Sequence, residues 1–342
     1  MEHRFGDIMG LKEYAIRRFF TSLITIFIII VANWLIFRLP VFVTGVDPAV
    51  LYGLDWAMRH NVPVDVIERF REQWGLPSPD SPLTVWLMHL LKYIWNMLTF
   101  NFGKTFRLGR PVVQELAVRL PITLMFTVPS TLLSLIIGIW LGVKAGANPG
   151  SKTDTILLNI GLTLYAFPAF WIELLFVLVF ISGYGIFYMF PEMHFFNDPI
   201  LYFLELMYVM IPPIICLVLV GFGGWLLFMR QSLIDVMHED YIVTAKAKGL
   251  DERTVLYKHA FRNALLPVIT GVVLALAGVW TGAIITETIF QIEGVGRLFL
   301  WAYQNQDYPL LEMLFYFVAL TTVIANYIAD ISYALLDPRV RY

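Results

Sequence analysis

Residues Phe19 to Phe37 contain no Asp, Glu, Lys or Arg. At 1.5 Å per residue such a run spans about 28 Å as a helix, close to the ~30 Å hydrocarbon core of a bilayer. It is too long for a signal-peptide core and no small-x-small cleavage site follows, so it reads as an uncleaved transmembrane helix. Leu120 to Val143 is a second charge-free run. In lipid the backbone has no water to bond, so runs like these fold as helices whose N–H and C=O groups pair internally. The rest of the chain agrees. Charged residues make up 15% of it, against about 25% in soluble domains, and mean hydropathy is +0.71. The expected fold is an all-α membrane protein with six transmembrane helices, a cytoplasmic loop between the fourth and fifth, and an extracytoplasmic insertion between the first and second.

The boundaries follow from where charge and proline return. Residues 1–18 carry Arg4, Lys12, Arg17 and Arg18, with Leu11, Tyr14, Ala15 and Arg18 on one face, and read as a cytoplasmic interfacial helix. The first span is 19–39. Residues 40–119 mix Pro, Gly, Trp and charge, with amphipathic pieces near Pro63–Trp74 and Pro82–Leu98. That length argues for a small folded insertion, acting as a spacer or as a docking surface. Residues 120–336 hold five further spans: Leu120 to Val143 with Pro121 at its start, Thr155 to Ser182 with a kink at Pro168, Leu201 to Met229 with a kink at Pro212-Pro213, Leu265 to Glu287, and Leu311 to Ile331. Gly138/Gly142 and Gly278/Gly282 are Gly-x-x-x-Gly pairs of the kind that let helices approach closely. Residues 337–342 are a tail.

Orientation comes from the short loops. Fourteen Lys and Arg lie at the N-terminus, in 144–154, in 230–262 and in the tail, while the opposite short loops hold only Arg297. The positive-inside rule therefore puts both termini and the 230–264 loop in the cytoplasm. Glu173 is the one ionisable group deep in a span. It is either hydrogen-bonded between helices or lines a solute pathway. Cys216 has no partner for a disulfide, and His194 reads as an ordinary interfacial residue. There is no phosphate-binding glycine loop, no paired-Cys metal pattern and no nucleophile elbow. No cofactor, metal site or catalytic residue is expected, and no nucleic acid, only the lipid bilayer and protein partners.

The polar stretch 238–267 stands apart from the greasy remainder. Ala245, Lys246, Ala247 and Lys248 are helix formers, and Gly249 follows where a left-handed C-cap would sit. Asp251 is placed to cap a second helix with Glu252 in its first turn, running toward Pro267. Small alanines on the first helix read as a slim knob able to enter a groove on another protein, with Lys246, Lys248 and Arg253 available to acidic groups.

This stretch resembles the cytoplasmic coupling motif of binding-protein-dependent ABC permeases, roughly Glu-Ala-Ala, three residues, Gly, nine residues, then Ile-x-Leu-Pro. Asp240-Tyr241 to Ala245-x-Ala247-x-Gly249 and Ala264-Leu265-Leu266-Pro267 are similar to the dipeptide/oligopeptide version, with Val243 where Arg is common. Phe102-Gly103-Lys104-Thr105, Arg119-Leu120-Pro121, Gly294-Val295-Gly296 and Asp307-Tyr308-Pro309 resemble further segments of that family, with Glu293 where Pro is usual. The resemblance implies one of two homologous permease subunits of a prokaryotic plasma-membrane importer. It implies, as partners, two ATP-binding cassette subunits that carry the ATPase, and an extracytoplasmic substrate-binding protein. It implies coupling through Glu239, Asp240, Tyr241, Thr244, Ala245, Lys246, Ala247, Lys248, Gly249 and Leu250, and binding-protein docking at Gly294, Gly296, Asp307 and Tyr308; Glu173 is the substrate-path candidate by its place in mid-span. Peptides are the family's usual cargo and oligosaccharides the alternative. A secondary transporter would need ionisable residues along its path, and an intramembrane enzyme a nucleophile and base in its spans. Neither accounts for the polar stretch.

Overall fold

The computed structural model describes residues 11–45, 80–189 and 198–336, with a few isolated positions between 46 and 79. In chain order the elements are α1 (Leu11–Thr44), α2 (Leu83–Leu98), α3 (Val112–Ala147), α4 (Lys152–Ala166), α5 (Ala169–Phe176) running on as a π-helix (Val177–Gly183), α6 (Pro199–Val209), α7 (Ile211–Met237), α8 (Asp240–Ala247), a turn at Glu252–Thr254 followed by a π-helix (Val255–Ala260), α9 (Phe261–Gly278), α10 (Ile284–Ile289), α11 (Val295–Gln304) and α12 (Tyr308–Leu336). Among the described residues the only β pairing is an isolated bridge between Lys104 and Pro111. Among the described residues five helices are long and apolar enough to cross a membrane, or up to six if the bent pair α4–α5 counts as one span. The expected all-α membrane architecture is what is seen.

Several helices are bounded differently from the sequence reading. Of the interfacial helix expected over 1–18, residues 11–18 continue without a break into α1, Leu11–Thr44, and residues 1–10 lie outside the described residues. The helix that carries the second span, α3, starts at Val112, eight residues before Leu120, so Pro121 and Pro129 both lie inside it. The third span does more than kink at Pro168. Its two halves meet at 90°, because Phe167 is extended (φ −71°, ψ 136°), the conformation a residue before proline prefers. Pro212 and Pro213 sit in the first turn of α7, where missing N–H groups cost nothing. The fifth span, expected to reach Glu287, stops at Gly278, and Gly282 turns the chain with φ +83°. The amphipathic piece at Pro82–Leu98 is α2. The piece at Pro63–Trp74, His194 and the tail lie outside the described residues.

The chain divides into two compact units: Met1–Arg18, Pro121–Gly296 and Ala325–Tyr342 form one, Phe19–Leu120 and Arg297–Ile324 the other. In the second unit, Ile30 and Trp34 of α1 pack with Trp86, Tyr93 and Met97 of α2 and with Tyr316 of α12. A buried polar cluster accompanies them. Arg38 forms an ion pair with Glu312, and Asn33 donates to Tyr93 Oη (3.0 Å) and to the Glu312 carbonyl (2.9 Å). Arg38 and Glu312 thus join Glu173 as ionisable groups inside the helices, neutralising each other.

In the first unit, α3 and α7 touch at backbone distance. A methyl group on Gly138 would lie 2.6 Å from the Phe222 carbonyl oxygen, and one on Gly142 2.7 Å from that of Leu226. This Gly-x-x-x-Gly pair packs helices as expected. The other does not: Gly278 has open space around it and Gly282 sits in a turn. Gly142→Ala is therefore expected to lower stability by about 1–3 kcal/mol, whereas Gly278→Ala should stay within ~0.5 kcal/mol of the parent. Thermal unfolding of the detergent-solubilised variants measures the contrast.

Candidate functional site

The polar stretch folds as a helix–turn–helix on a firm base. Glu239 is extended (ψ 144°) and starts α8. Gly249 takes φ +77°, the left-handed conformation expected of a C-cap, and a side chain there would meet nothing within 4 Å. Asp251 then caps the next helix, its Oδ2 accepting from the Thr254 N–H at 3.0 Å. The Thr254 bonds hold the exposed Asp251 carboxyl below the usual carboxylate range. Helix formation resumes in a wider π-turn over Val255–Ala260, an irregularity that often marks functional sites.

Burial sorts α8 into two faces. Ile242 (0% exposed) and Ala245 (6%) point inward, into a core shared with Val143 of α3, Met229 and Leu233 of α7, Val255, Ala260, and Ala264 and Val268 of α9. Glu239, Asp240, Tyr241, Val243, Thr244, Lys246, Ala247, Lys248 and Leu250 are exposed. The knob read from the sequence is therefore corrected in one respect. Ala245 is small because it packs under the helix, and the outer surface is built from Val243, Thr244 and Ala247 with lysines beside them. Tyr241 is held by Asn263, whose Nδ2 donates to its hydroxyl at 2.9 Å.

Two contacts that sequence reasoning missed anchor this base. Arg230 of α7 grips Asp154 with both arms (Nε–Oδ1 2.6 Å, Nη2–Oδ2 2.7 Å). Asp154 also accepts from the Gly150 N–H at 2.8 Å, and its own N–H donates to Ser151 Oγ at 3.1 Å. The Ser151-x-x-Asp154 spacing is a capping-box signature, but nothing in it announces a partner in α7. Ser232 donates its hydroxyl to the Ala264 carbonyl at 2.7 Å, tying α7 to α9.

The other expected site residues lie elsewhere and are inward. Glu173 is fully buried. Thr286 of α10 donates its hydroxyl to Glu173 Oε1 at 2.6 Å, and Oε2 has no partner among the described residues. In this chain it bridges two helices, the geometry that the interhelix alternative expects. Gly294 and Gly296, expected to dock a binding protein, are buried and serve close packing. A methyl on Gly294 would sit 2.5 Å from Thr123 Oγ1 and from the Glu287 carboxyl carbon, and one on Gly296 2.7 Å from the Ile284 N–H nitrogen. Asp307 is fully buried too, accepting from the Arg107 N–H at 3.0 Å. Burial pushes its carboxyl up, and the bonds from backbone N–H groups pull the other way. Tyr308 is half-buried between the rings of Phe37 and Phe106. Among the described residues no cluster of His, Cys, Asp and Glu is arranged to hold a metal.

A family model described as a binding-protein-dependent transport system inner membrane component matches residues 117–342, which include α8 and both of its anchors. The chain belongs to this family. The permease is 32% identical over 298 residues to a putative peptide transport system permease protein of Brucella abortus, covering 86% of this chain and 90% of the relative. It is 33% identical over 281 residues to the oligopeptide transport system permease protein AppB of Bacillus subtilis (80% and 85%). It is 32% identical over 289 residues to the peptidoglycan transport system permease protein YejB of Agrobacterium fabrum (81% and 76%). The permease is thus a multi-pass inner membrane component.

Three outcomes follow for the permease. Ala245→Glu forces a charge into the core beneath α8 and is expected to reduce the amount of folded protein, whereas Ala247→Glu leaves folding intact, as detergent-phase gel filtration will show. Asp154→Ala strands Arg230 and should cost on the order of 3 kcal/mol. The Asp154→Ala/Arg230→Met double variant should melt above either single variant. Glu173→Gln keeps the acceptor for Thr286 and should transport cationic and anionic substrates with unchanged kinetics.

Proposed function

We propose that this chain is one of two permease subunits of an ABC importer for peptides, and that the outward face of α8 is where an ATP-binding subunit grips it. The carrying observation is the construction of α8: an exposed, small-residue face on a helix whose other face is locked into α3, α7 and α9. A surface helix that only capped a loop would not need the Gly249 turn, the Asp251 cap and a bidentate ion pair behind it. Family membership supports the reading, and the names of the relatives support peptides as cargo. The peptidoglycan-transport relative gives a second reading, cargo that joins peptide to sugar, carried by the same machine. ATP hydrolysis then resides on the partner subunits, and an extracytoplasmic binding protein delivers the solute. The loop holding α8 faces the cytoplasm by its lysine and arginine content.

Position 249 tests the coupling role. The space around Gly249 is open, so a substitution there challenges only the left-handed backbone, at about 1–2 kcal/mol for an ordinary residue and less for Asn. Gly249→Val is expected to insert and to co-purify less ATP-binding subunit, with substrate-stimulated ATP hydrolysis falling toward the unstimulated rate. Gly249→Asn should recover most of it. Full peptide uptake by the valine variant would sink the assignment.

A further inference from the structure

We propose that α2, inside the stretch read as an extracytoplasmic insertion, is buried in one leaflet of the bilayer and presents an apolar arc to lipid acyl chains. The first observation is depth. Arg38 ends the charge-free run of α1, and depth is counted from there as the edge of the hydrocarbon at that end. Counting back along α1 at 1.5 Å per residue, Trp34 lies about 6 Å inside that edge, Ile30 about 12 Å and Ile26 about 18 Å. These are the residues against which α2 packs. α12 gives the same depth independently. It begins at Tyr308, and its residues in this cluster, Tyr316 and Leu320, lie about 12 and 18 Å along it. With a hydrocarbon core of ~30 Å, the buried partners of α2, Trp34, Ile30 and Tyr316, lie in the outer half of the bilayer, and Ile26 and Leu320 lie near its middle.

The second observation is how α2 is sided. One arc is inward: Trp86, Tyr93 and Met97 are buried, and Trp34 Nε1 donates to His89 Nδ1 at 2.9 Å. The neighbouring arc holds Leu87, Met88, Leu91, Trp95 and Leu98, all between 51% and 68% exposed. A stripe that apolar facing water would be a liability. At the depth given above it faces what the outer arc of α1 faces, where Phe27 and Ile28 are 52% and 59% exposed in the middle of the span. The third arc carries Lys92 and Asn96. A lysine there can run its methylene stem along the helix and reach the phosphates of the lipid headgroups. The buried Tyr93 and His89 of α2 bond to α1, accepting from Asn33 Nδ2 (3.0 Å) and from Trp34 Nε1 (2.9 Å).

Nitroxide labels on single cysteines at Leu87, Leu91 and Leu98, in a Cys216→Ala background, test this. The full chain, with the subunits that co-purify with it, is placed in phosphatidylcholine/phosphatidylglycerol nanodiscs. Collision rates with oxygen and with a water-soluble nickel chelate are then compared. Lipid exposure gives high oxygen and low nickel accessibility at all three sites, and the reverse at Asp80, an exposed turn before the helix. High nickel accessibility at Leu91 places α2 in water and overturns the proposal. Low accessibility to both reagents means that another protein, such as a second permease subunit, covers the arc, and overturns it as well. The unlabelled protein supplies a second measurement. A lipid with a photoactivatable group in its acyl chain should leave adducts on the 83–98 peptide, and adducts on the Phe27 segment of α1 without any on 83–98 would refute it.

Discussion

A backbone in hydrocarbon has nothing but itself to bond, and each interruption of a helix must be covered by protein. That constraint accounts for three of the buried polar side chains in the first unit, Thr123, Thr127 and Glu287. α9 stops at Gly278, and Thr127 of α3 donates its hydroxyl to the freed Val279 carbonyl at 3.0 Å. Four residues later Glu287 Oε1 accepts from the Ala283 N–H (3.3 Å) and from the Thr123 hydroxyl (2.9 Å), while Thr123 accepts from the Val295 N–H (2.8 Å). Glu173 reaches Thr286 in the same short helix, α10. A carboxyl in the membrane interior looks functional when seen alone in a sequence. Here it bonds beside a broken helix; Gly282 and Gly296 are glycines because two stretches of chain meet there at backbone distance, and Gly294 because the Glu287 and Thr123 side chains fill the space beside it.

The same logic, outside the hydrocarbon, shapes the polar segment. α8 ends at the Gly249 turn and the next helix begins on the Asp251 cap, so the junction between them satisfies its backbone groups locally. What it borrows is position. Asp154–Arg230 fixes α7 to the start of α4, and Ser232 fixes α7 to α9. With Gly142 and Gly146 keeping α3 against α7, the core under Ile242 and Ala245 has few ways to yield.

The spans were legible because a charge-free run of about twenty residues has one physical solution. The segment around α8 was legible because the helix stop at Gly249 and the cap at Asp251 are local, written within a few residues of each other. What could not be read is everything that depends on residues far apart in the chain. Asp154 and Arg230 are 76 positions apart. Arg38 and Glu312 are 274 positions apart and pair only because α1 and α12 lie side by side in their unit. Ala245 was assigned to the outer face because small residues suit both a docking knob and a tightly packed underside, and only burial distinguishes them. The Gly278/Gly282 pair failed for a similar reason: the spacing means helix packing only if the helix continues through it, and here it does not.

The two-faced build of α8 also limits how a force on it can travel. A push on Val243 or Ala247 cannot be absorbed by the helix sliding over its base, since Ile242 and Ala245 are interlocked with α3, α7 and α9. Nor can α7 tilt freely, because Arg230 would have to give up two charge-assisted bonds to an aspartate that is otherwise out of water. The most compliant route lies through the elements that are already irregular: the π-turn at Val255–Ala260, the right angle between α4 and α5, and the turn between α9 and α10. Motion concentrated at these three places would move whole helices without breaking a packed core, which is how packed proteins switch between discrete states. The polar contacts at the last of them, Thr127, Thr123 and Glu287, are then the bonds that must exchange when the helices move.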